Sequence, residues 1–430
     1  MSNLLSTKPY KGTRDFFPEE MRFRTAMFET LAKTVESFGY EKIDAPLIEP
    51  LDIYLAKTSE EIVNQQIYSF VDRGERKVAI RPEMTPTVSR MVAQKIRELP
   101  KPVRWYSIPN LWRYEQPGKG RLREHWQLNC DLFGAANEQL ADLEILQLAC
   151  EIPIAFGANH NDFSVQVNNR RILNSIFEKK LNLSEEKWPE VARILDKRLK
   201  IAESEFEQML ASAGLSASSI ELLQDYLQNG TDFLQKNDDI DGVPELLSLL
   251  HNLEKSGYQN FVQYAPGIVR GFDYYTGLVF EVFDQNPENR RSLFGGGRYN
   301  NLIGNFSKDS LNAVGFGMGD VTFAEFLKLH DLLKTPPRQM HAYIAMFEGE
   351  ELNAIQLATR LRKSGLNIET SVGAIKLGKQ FQEAETKGYN FVILQGSTEA
   401  NNNVVQLKNL STGDQKSVSE AELLTIFKNA

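Results

Sequence analysis

The chain of 430 residues is poor in the residue types that staple small secreted domains or build metal centres. Two cysteines, Cys130 and Cys150, are too few for a disulfide framework or a zinc cluster, and a reducing cytoplasm suits them best. The five histidines are scattered and no HExxH or CxxC occurs, so a transition metal held by the protein is not expected. No stretch approaches the roughly 18 unbroken apolar residues of a membrane span. Residues 1–20 lack an apolar core followed by a small-residue cleavage site, so no signal peptide is expected. Positive charge is not in excess either: 49 Lys and Arg stand against 57 Asp and Glu, a net charge of -8. That excludes a general cationic coat for nucleic acid but leaves room for a local basic site. What is present is ordinary for a globular protein, 42% hydrophobic and 25% charged. The length corresponds to roughly three folding units.

The first helix is legible from spacing. Met21, Phe23, Met27, Phe28, Leu31, Ala32 and Val35 recur at helical intervals between Glu20 and Ser37, and Gly39 suits its end. A strand over 40–45, a strand over 77–81, a helix over 85–99 and a strand over 103–109 follow. The segments 107–116 and 124–134 flank Pro117-Gly118-Lys119-Gly120, which predicts a long antiparallel hairpin with a mobile tip. A helix is expected over 140–153 and a strand over 165–168. From Arg171 to about Tyr258 the chain turns helical, which suggests an inserted module. Strand character returns at 268–283, read as a hairpin turning near Thr276-Gly277. Thr335-Pro336-Pro337-Arg338 is a stiff linker and a domain boundary. Beyond it strands and helices alternate, predicting a small α/β unit with a mostly parallel sheet.

The strongest chemical signal is the stretch Arg113 to Glu124. Four cations (Arg113, Lys119, Arg121, Arg123) and two carboxylates (Glu115, Glu124) share twelve residues. On strands, residues two apart share a face, so Arg121 and Arg123 would point together with Arg113 opposite. Three guanidinium forks on one face suit a polyphosphate; a solvated, salt-bridged hairpin is the plainer alternative at even weight. Gln127, Asn129 and Asp131 alternate with apolar residues, a polar row that suits a small polar ligand. At Arg81-Pro82-Glu83-Met84-Thr85, Glu83 or Thr85 reads as a helix cap, with a substrate ammonium on Glu83 as the alternative. Arg270, Asp273, Tyr274 and Tyr275 combine a cation, a carboxylate and two phenols. Gly295-Gly296-Gly297 asks for close approach of backbone to a ligand or a second chain. Neither it nor Gly315-Phe-Gly-Met-Gly319 has the context of a dinucleotide fold. Gly373 to Gln380 nearly matches a P-loop, but Gln380 stands where a Ser or Thr hydroxyl should hold Mg²⁺.

Taken together these motifs resemble the histidyl-tRNA synthetases, class II aminoacyl-tRNA synthetases. Lys11-Gly12-Thr13-Arg14-Asp15 and the long helix resemble the family's start and class motif 1. Arg81 to Thr85 resembles its substrate-amine segment, and Arg113 to Asp131 class motif 2. Arg270-Gly271-Phe272-Asp273-Tyr274-Tyr275 and Gly296-Gly297-Arg298-Tyr299 resemble its two histidine motifs. Gly378-Lys379-Gln380 and the segment 407–415 are similar to its tail.

The resemblance implies an α+β catalytic domain with an antiparallel sheet flanked by helices, in two parts, 1–170 and 258–334. A helical insertion (171–257) would separate them, and an α/β anticodon-binding domain (338–430) would follow. It also implies a homodimer, with no membrane attachment, that makes histidyl-adenylate from histidine and ATP with Mg²⁺ and then charges tRNA(His). Arg113 would hold the α-phosphate, Glu115 the adenine end, and Arg121 and Arg123 the outer phosphates. Glu83, Thr85 and Gln127 would hold the amino group, Asp131 and Tyr275 the imidazole, with Tyr274 also on the histidine, and Arg270 would stand beside the α-phosphate. The alternative is a catalytically silent paralogue that binds histidine and regulates a partner enzyme; such proteins usually lack the C-terminal domain present here. Two positions depart from the family pattern. Thr322 stands where motif 3 usually has an Arg on the ATP tail, leaving Arg121, Arg123 and Mg²⁺ as the expected substitutes, and Gln116 replaces an Arg that faces the tRNA acceptor end.

Overall fold

The computed structural model describes residues 4–55, 66–118, 120–198, 201–269, 275–289, 291–372 and 376–428. It divides into two compact units, 1–335 and 336–430. Among the described residues no helix is long and apolar enough to cross a membrane.

The first helix runs Pro18–Ser37, with Pro18 at its first position, where a missing amide hydrogen costs nothing. Phe23, Met27, Leu31 and Val35 form one buried stripe at four-residue spacing. Gly39, at φ +80°, takes the left-handed conformation that turns the chain out of the helix. That stripe packs on the central sheet of the unit, whose strands lie in the order 41–42, 103–107, 124–133, 313–319, 292–298, 278–284, 163–169 and 262–264. The five inner pairings are antiparallel and the two outermost are parallel. The sheet is therefore antiparallel at its centre and mixed at its margins. A second, three-stranded sheet joins 48–50, 77–80 and 69–71.

Two strand expectations need correction. Leu278–Asp284 is one strand whose hairpin partner is Ser292–Arg298, not the segment before Thr276. The turn lies in the Asp284–Asn289 stretch, where Asp284 accepts from the Asn286 amide and the Asn289 side chain. Arg270 to Tyr274 lie outside the described residues. The long hairpin is also interrupted: Val103–Ser107 and Asn110–Trp112 pair separately with Glu124–Phe133.

Between the strands Phe163–Asn169 and Val262–Tyr264 the chain is helical, including Trp188–Lys197, Glu203–Ser212, Ala217–Gln228 and Val243–Lys255. These helices have no core of their own. Phe206, Leu210, Leu223, Tyr226 and Leu246 belong to the same apolar cluster as Ile145, Phe163 and Val165 under the sheet.

The second unit has a five-stranded sheet in the order 368–370, 342–345, 391–394, 404–409 and 415–419. Two of its four pairings are parallel and two antiparallel, so the expected mostly parallel sheet is half right. Alternate residues of Ala342–Ala345 face opposite cores. Ala342 and Ile344 meet Leu357 and Leu361 on one side, and Tyr343 and Ala345 meet Ala384 on the other. Gln380, the misfit of the P-loop-like run, is fully buried and bridges both backbone polar groups of Met346 at 2.8 Å. Its amide is a structural clamp, and the preceding Gly373 to Ile375 lie outside the described residues.

Candidate active site

The site follows from the two-residue period of strands. In Glu124–Phe133, Leu128, Cys130 and Leu132 point to the apolar cluster, while Gln127, Asn129 and Asp131 point to the other face. The neighbouring strand Ala313–Gly319 alternates in the same way: Val314, Phe316 and Met318 are core, and after Ala313 the other face is glycine at 315, 317 and 319. Register places Gly315 opposite Asp131, Gly317 opposite Asn129 and Gly319 opposite Gln127. One strand further, Gly297 lies opposite Gly315 and Gly295 opposite Gly317. Five glycines thus pave a floor beside a row of three polar side chains. From Gln127 to Asp131 that row spans about 13 Å, and three strands are about 10 Å wide, the footprint of a nucleotide joined to an amino acid.

At Gly295, Gly297 and Gly315 the paving leaves no room for a side chain. A Cβ on Gly315 would sit 2.4 Å from the Cys130 carbonyl oxygen and 2.6 Å from Asp131 Oδ1. One on Gly297 would sit 2.4 Å from the Leu278 carbonyl oxygen and 2.8 Å from the Tyr275 ring.

One end of the floor is anionic. Asp131 is buried and accepts a hydrogen bond from the Tyr299 hydroxyl. Burial pushes its carboxyl up to about 7, against the pull of that bond. Tyr275 is raised well above the ordinary phenol range, first by burial and then by the charges of Glu83, Glu281 and Asp131. Those three carboxylates and the phenol therefore share one neighbourhood. Glu281 went unnoticed in the sequence, and Tyr299 was named there only as part of a glycine motif, with no role. The signal for Glu281 was an acid amid the apolar run Leu278–Phe283; Tyr299 had none beyond its glycine-rich setting.

The other end is cationic. The Arg113 amide donates to the Arg123 carbonyl at 2.8 Å, and its Nε to the Pro82 carbonyl at 2.9 Å. This ties the hairpin to the Glu83–Thr85 junction. Neither Glu83 nor Thr85 caps the helix Thr85–Gln94: the cap position is Met84, with no side-chain cap bond, so the cap reading is corrected. Burial, reinforced by the positive charges of Arg113 and Arg14, holds His125 down at about 3 and hence neutral.

The shared face expected of Arg121 and Arg123 is not formed, because strand geometry stops at Trp112 and resumes only at Glu124. Arg123 is buried. It lies over the Tyr114 ring at 4.0 Å, donates to the Tyr10 hydroxyl at 2.7 Å and to the Glu115 carbonyl at 3.2 Å. Its stem also packs on Gly12, where a Cβ would lie 2.7 Å from Arg123 Cγ. Arg123 thus holds the hairpin to the N-terminal segment. Arg121 is largely exposed, its Nε 3.9 Å from Glu115 Oε2. Arg270 and Tyr274 lie outside the described residues. A floor of bare backbone with carboxylates at one end and guanidinium groups at the other fits an ammonium-bearing ligand joined to a phosphate.

A family model described as histidyl-tRNA synthetase matches residues 12–320, most of the chain. The chain belongs to the histidyl-tRNA synthetase family. A model of the anticodon binding domain matches residues 342–430. Among curated relatives, a histidine–tRNA ligase of Leptospira biflexa is 46% identical over 99% of this chain and 98% of its own length. One from Haloarcula marismortui is 36% identical over 95% of this chain and 94% of its own. Among solved structures, the histidyl-tRNA synthetase of Nostoc superposes with a TM-score of 0.81 at 26% identity, covering 99% of this chain and all of that one. The architecture above is therefore that of the family, a catalytic unit with a mixed sheet and a separate C-terminal unit.

Proposed function

We infer that this protein is a histidine–tRNA ligase of class II. A carboxylate oxygen of histidine attacks the α-phosphorus of ATP and pyrophosphate leaves; the tRNA(His) 3′ end then attacks the carbonyl carbon of histidyl-adenylate and AMP leaves. The observation that carries this is the glycine floor between an anionic and a cationic end, together with full-length similarity to ligases. Adenylation asks for positioning and charge neutralisation more than for acid–base groups, and the floor provides both. In this assignment Arg113 neutralises the α-phosphate, joined by Arg270, and Glu115 takes the adenine end. Glu83, Thr85 and Gln127 hold the amino group, and Asp131, Tyr274 and Tyr275 the imidazole. Among the described residues no group of three or more His, Cys, Asp or Glu side chains could hold a metal, so Mg²⁺ would come on the ATP phosphates. The C-terminal unit would read the anticodon. We propose a cytoplasmic homodimer, the arrangement expected of the family. The match over residues 342–430 favours the ligase over a silent regulator. Histidine-dependent ATP–pyrophosphate exchange, followed by charging of tRNA(His), tests the assignment. Exchange that ignores histidine would refute it.

A further inference from the structure

We propose that Arg291 supplies the cation that grips the outer phosphates of ATP. This rests on the assignment of the hairpin end of the floor to the ATP phosphates. The hairpin tip closes through a bridge between Gly118 and Arg121, and Gly120, at φ +71°, forms the turn. A Cβ on Gly120 would lie 3.1 Å from Thr322 Cγ2 and 3.4 Å from Arg291 Nη1. Tip, helix start and the Arg291 guanidinium therefore meet at one point.

The backbone fixes that meeting. Arg291 immediately precedes the paved strand Ser292–Arg298, and Thr322 lies in the first turn of the helix Asp320–Leu329. The Thr322 hydroxyl donates to the Leu293 carbonyl at 3.0 Å, which locks the helix start to the start of that strand. An arginine one residue before Ser292 is thereby carried to the tip.

The three arginines of motif 2 cannot all serve the ATP tail. Arg123 is buried against Tyr10, Tyr114 and the Glu115 carbonyl, so its guanidinium is already occupied. Asp320, the acid at the helix start, is taken by Arg14 at 2.7 Å and by the Trp126 amide at 2.9 Å. Thr322 brings a methyl and a hydroxyl to the point where the family pattern brings an arginine, and the exposed Arg291 beside it brings a guanidinium to the same point. Arg291 thus joins the list of substitutes for the missing cation, and Arg123 leaves it.

The test uses the full chain and five proteins: wild type, Arg291→Ala, Arg291→Lys, Thr322→Arg, and the double variant Arg291→Ala/Thr322→Arg. ATP and AMP binding are measured by titration calorimetry, and histidine-dependent exchange at varied ATP. Arg291→Ala should raise the Kd and KM for ATP about tenfold or more, the scale of a lost charged hydrogen bond. AMP binding and the histidine KM should stay within twofold, because neither ligand carries outer phosphates. Arg291→Lys should recover part of the loss. Thr322→Arg alone should bring no gain, since two guanidinium groups would crowd Gly120, whereas in the Arg291→Ala background it should restore ATP binding. ATP affinity unchanged in Arg291→Ala, or AMP and ATP weakened equally, would overturn the proposal while leaving the ligase assignment standing. Absence of histidine-dependent exchange in the wild type would instead overturn the assignment and the proposal together.

Discussion

Asp131 offers a measurement in which stability and function pull in opposite directions. Its carboxyl is buried, has the Tyr299 hydroxyl as a partner, and is held at about 7 rather than near 4. The folded chain therefore keeps a proton that the unfolded chain gives up. Stability falls as pH rises from about 4 through about 7 and stays low above it. Relative to acid, this proton linkage costs the fold a few kcal/mol at pH 8 and on the order of 1–2 kcal/mol at pH 5. Asp131→Asn keeps an oxygen acceptor for Tyr299 and removes the titration. Its gain over wild type should thus grow by roughly 2–3 kcal/mol between pH 5 and pH 8. Any fixed cost of burying the amide cancels in that comparison. All four tryptophans (Trp105, Trp112, Trp126 and Trp188) lie in the first unit, so their fluorescence follows its melting alone. The expected signature is a melting advantage that widens by about 5 °C from pH 5 to pH 8. The same variant should lose histidine use far more than ATP use, because a site built to pair a polar ring rejects ligands that leave its groups unpaired. An advantage that is flat with pH, or that widens toward acid, would show that Asp131 is not held protonated by burial.

Arg113→Ala should lower histidine-dependent exchange by about 10²–10³ with tryptophan fluorescence unchanged; a loss of only a few-fold would remove Arg113 from the α-phosphate. Gly315→Ala forces a methyl into the Cys130 carbonyl and Asp131, and should cost about 1–3 kcal/mol and most of the exchange activity. A stable, fully active Gly315→Ala protein would mean that the floor is not where the ligand lies. In the C-terminal unit, hydrogen bonds from Lys387, Tyr389 and Arg338 overcome the burial of Glu369 and hold it at about 2. Its contribution is present above the ordinary carboxylate range and is lost as pH falls toward 2. Glu369→Gln should therefore loosen the strand Ile368–Thr370 by about 1–2 kcal/mol at pH 7, after discount for solvent screening. Hydrogen exchange at that strand would read the change, and no change would make the cluster decorative.

Much of the fold was legible because burial wrote itself into spacing. The four-residue stripe from Phe23 to Val35 and the alternation from Gln127 to Leu132 needed no partner to be recognised. Other features depend on what lies across the sheet. Gly315-Phe-Gly-Met-Gly319 is a two-residue alternation of core and nothing, which becomes meaningful only when Gly295 and Gly297 are set beside it. Arg123 looked like one of three equal guanidinium groups, and only the position of Tyr10, far away in sequence, shows it occupied. The strand Gln415–Ser419 was missed although its turn is well marked. Asn409 Oδ1 accepts from the amides of Ser411 and Thr412, and Gly413 takes φ +78°. That turn sends the last pair of strands antiparallel.

A surface made of backbone has no rotamers to change. Where most binding sites can be retuned by swapping the side chains under the ligand, here Gly295, Gly296, Gly297 and Gly315 are closed to every larger residue by the carbonyls across the ladder. Libraries aimed at accepting histidine analogues would waste their diversity on 295–297 and 315. The adjustable positions stand at the rim, on Gln127, Asp131, Tyr275, Glu281 and Tyr299. Any altered specificity has to be built there, around a base that stays the same.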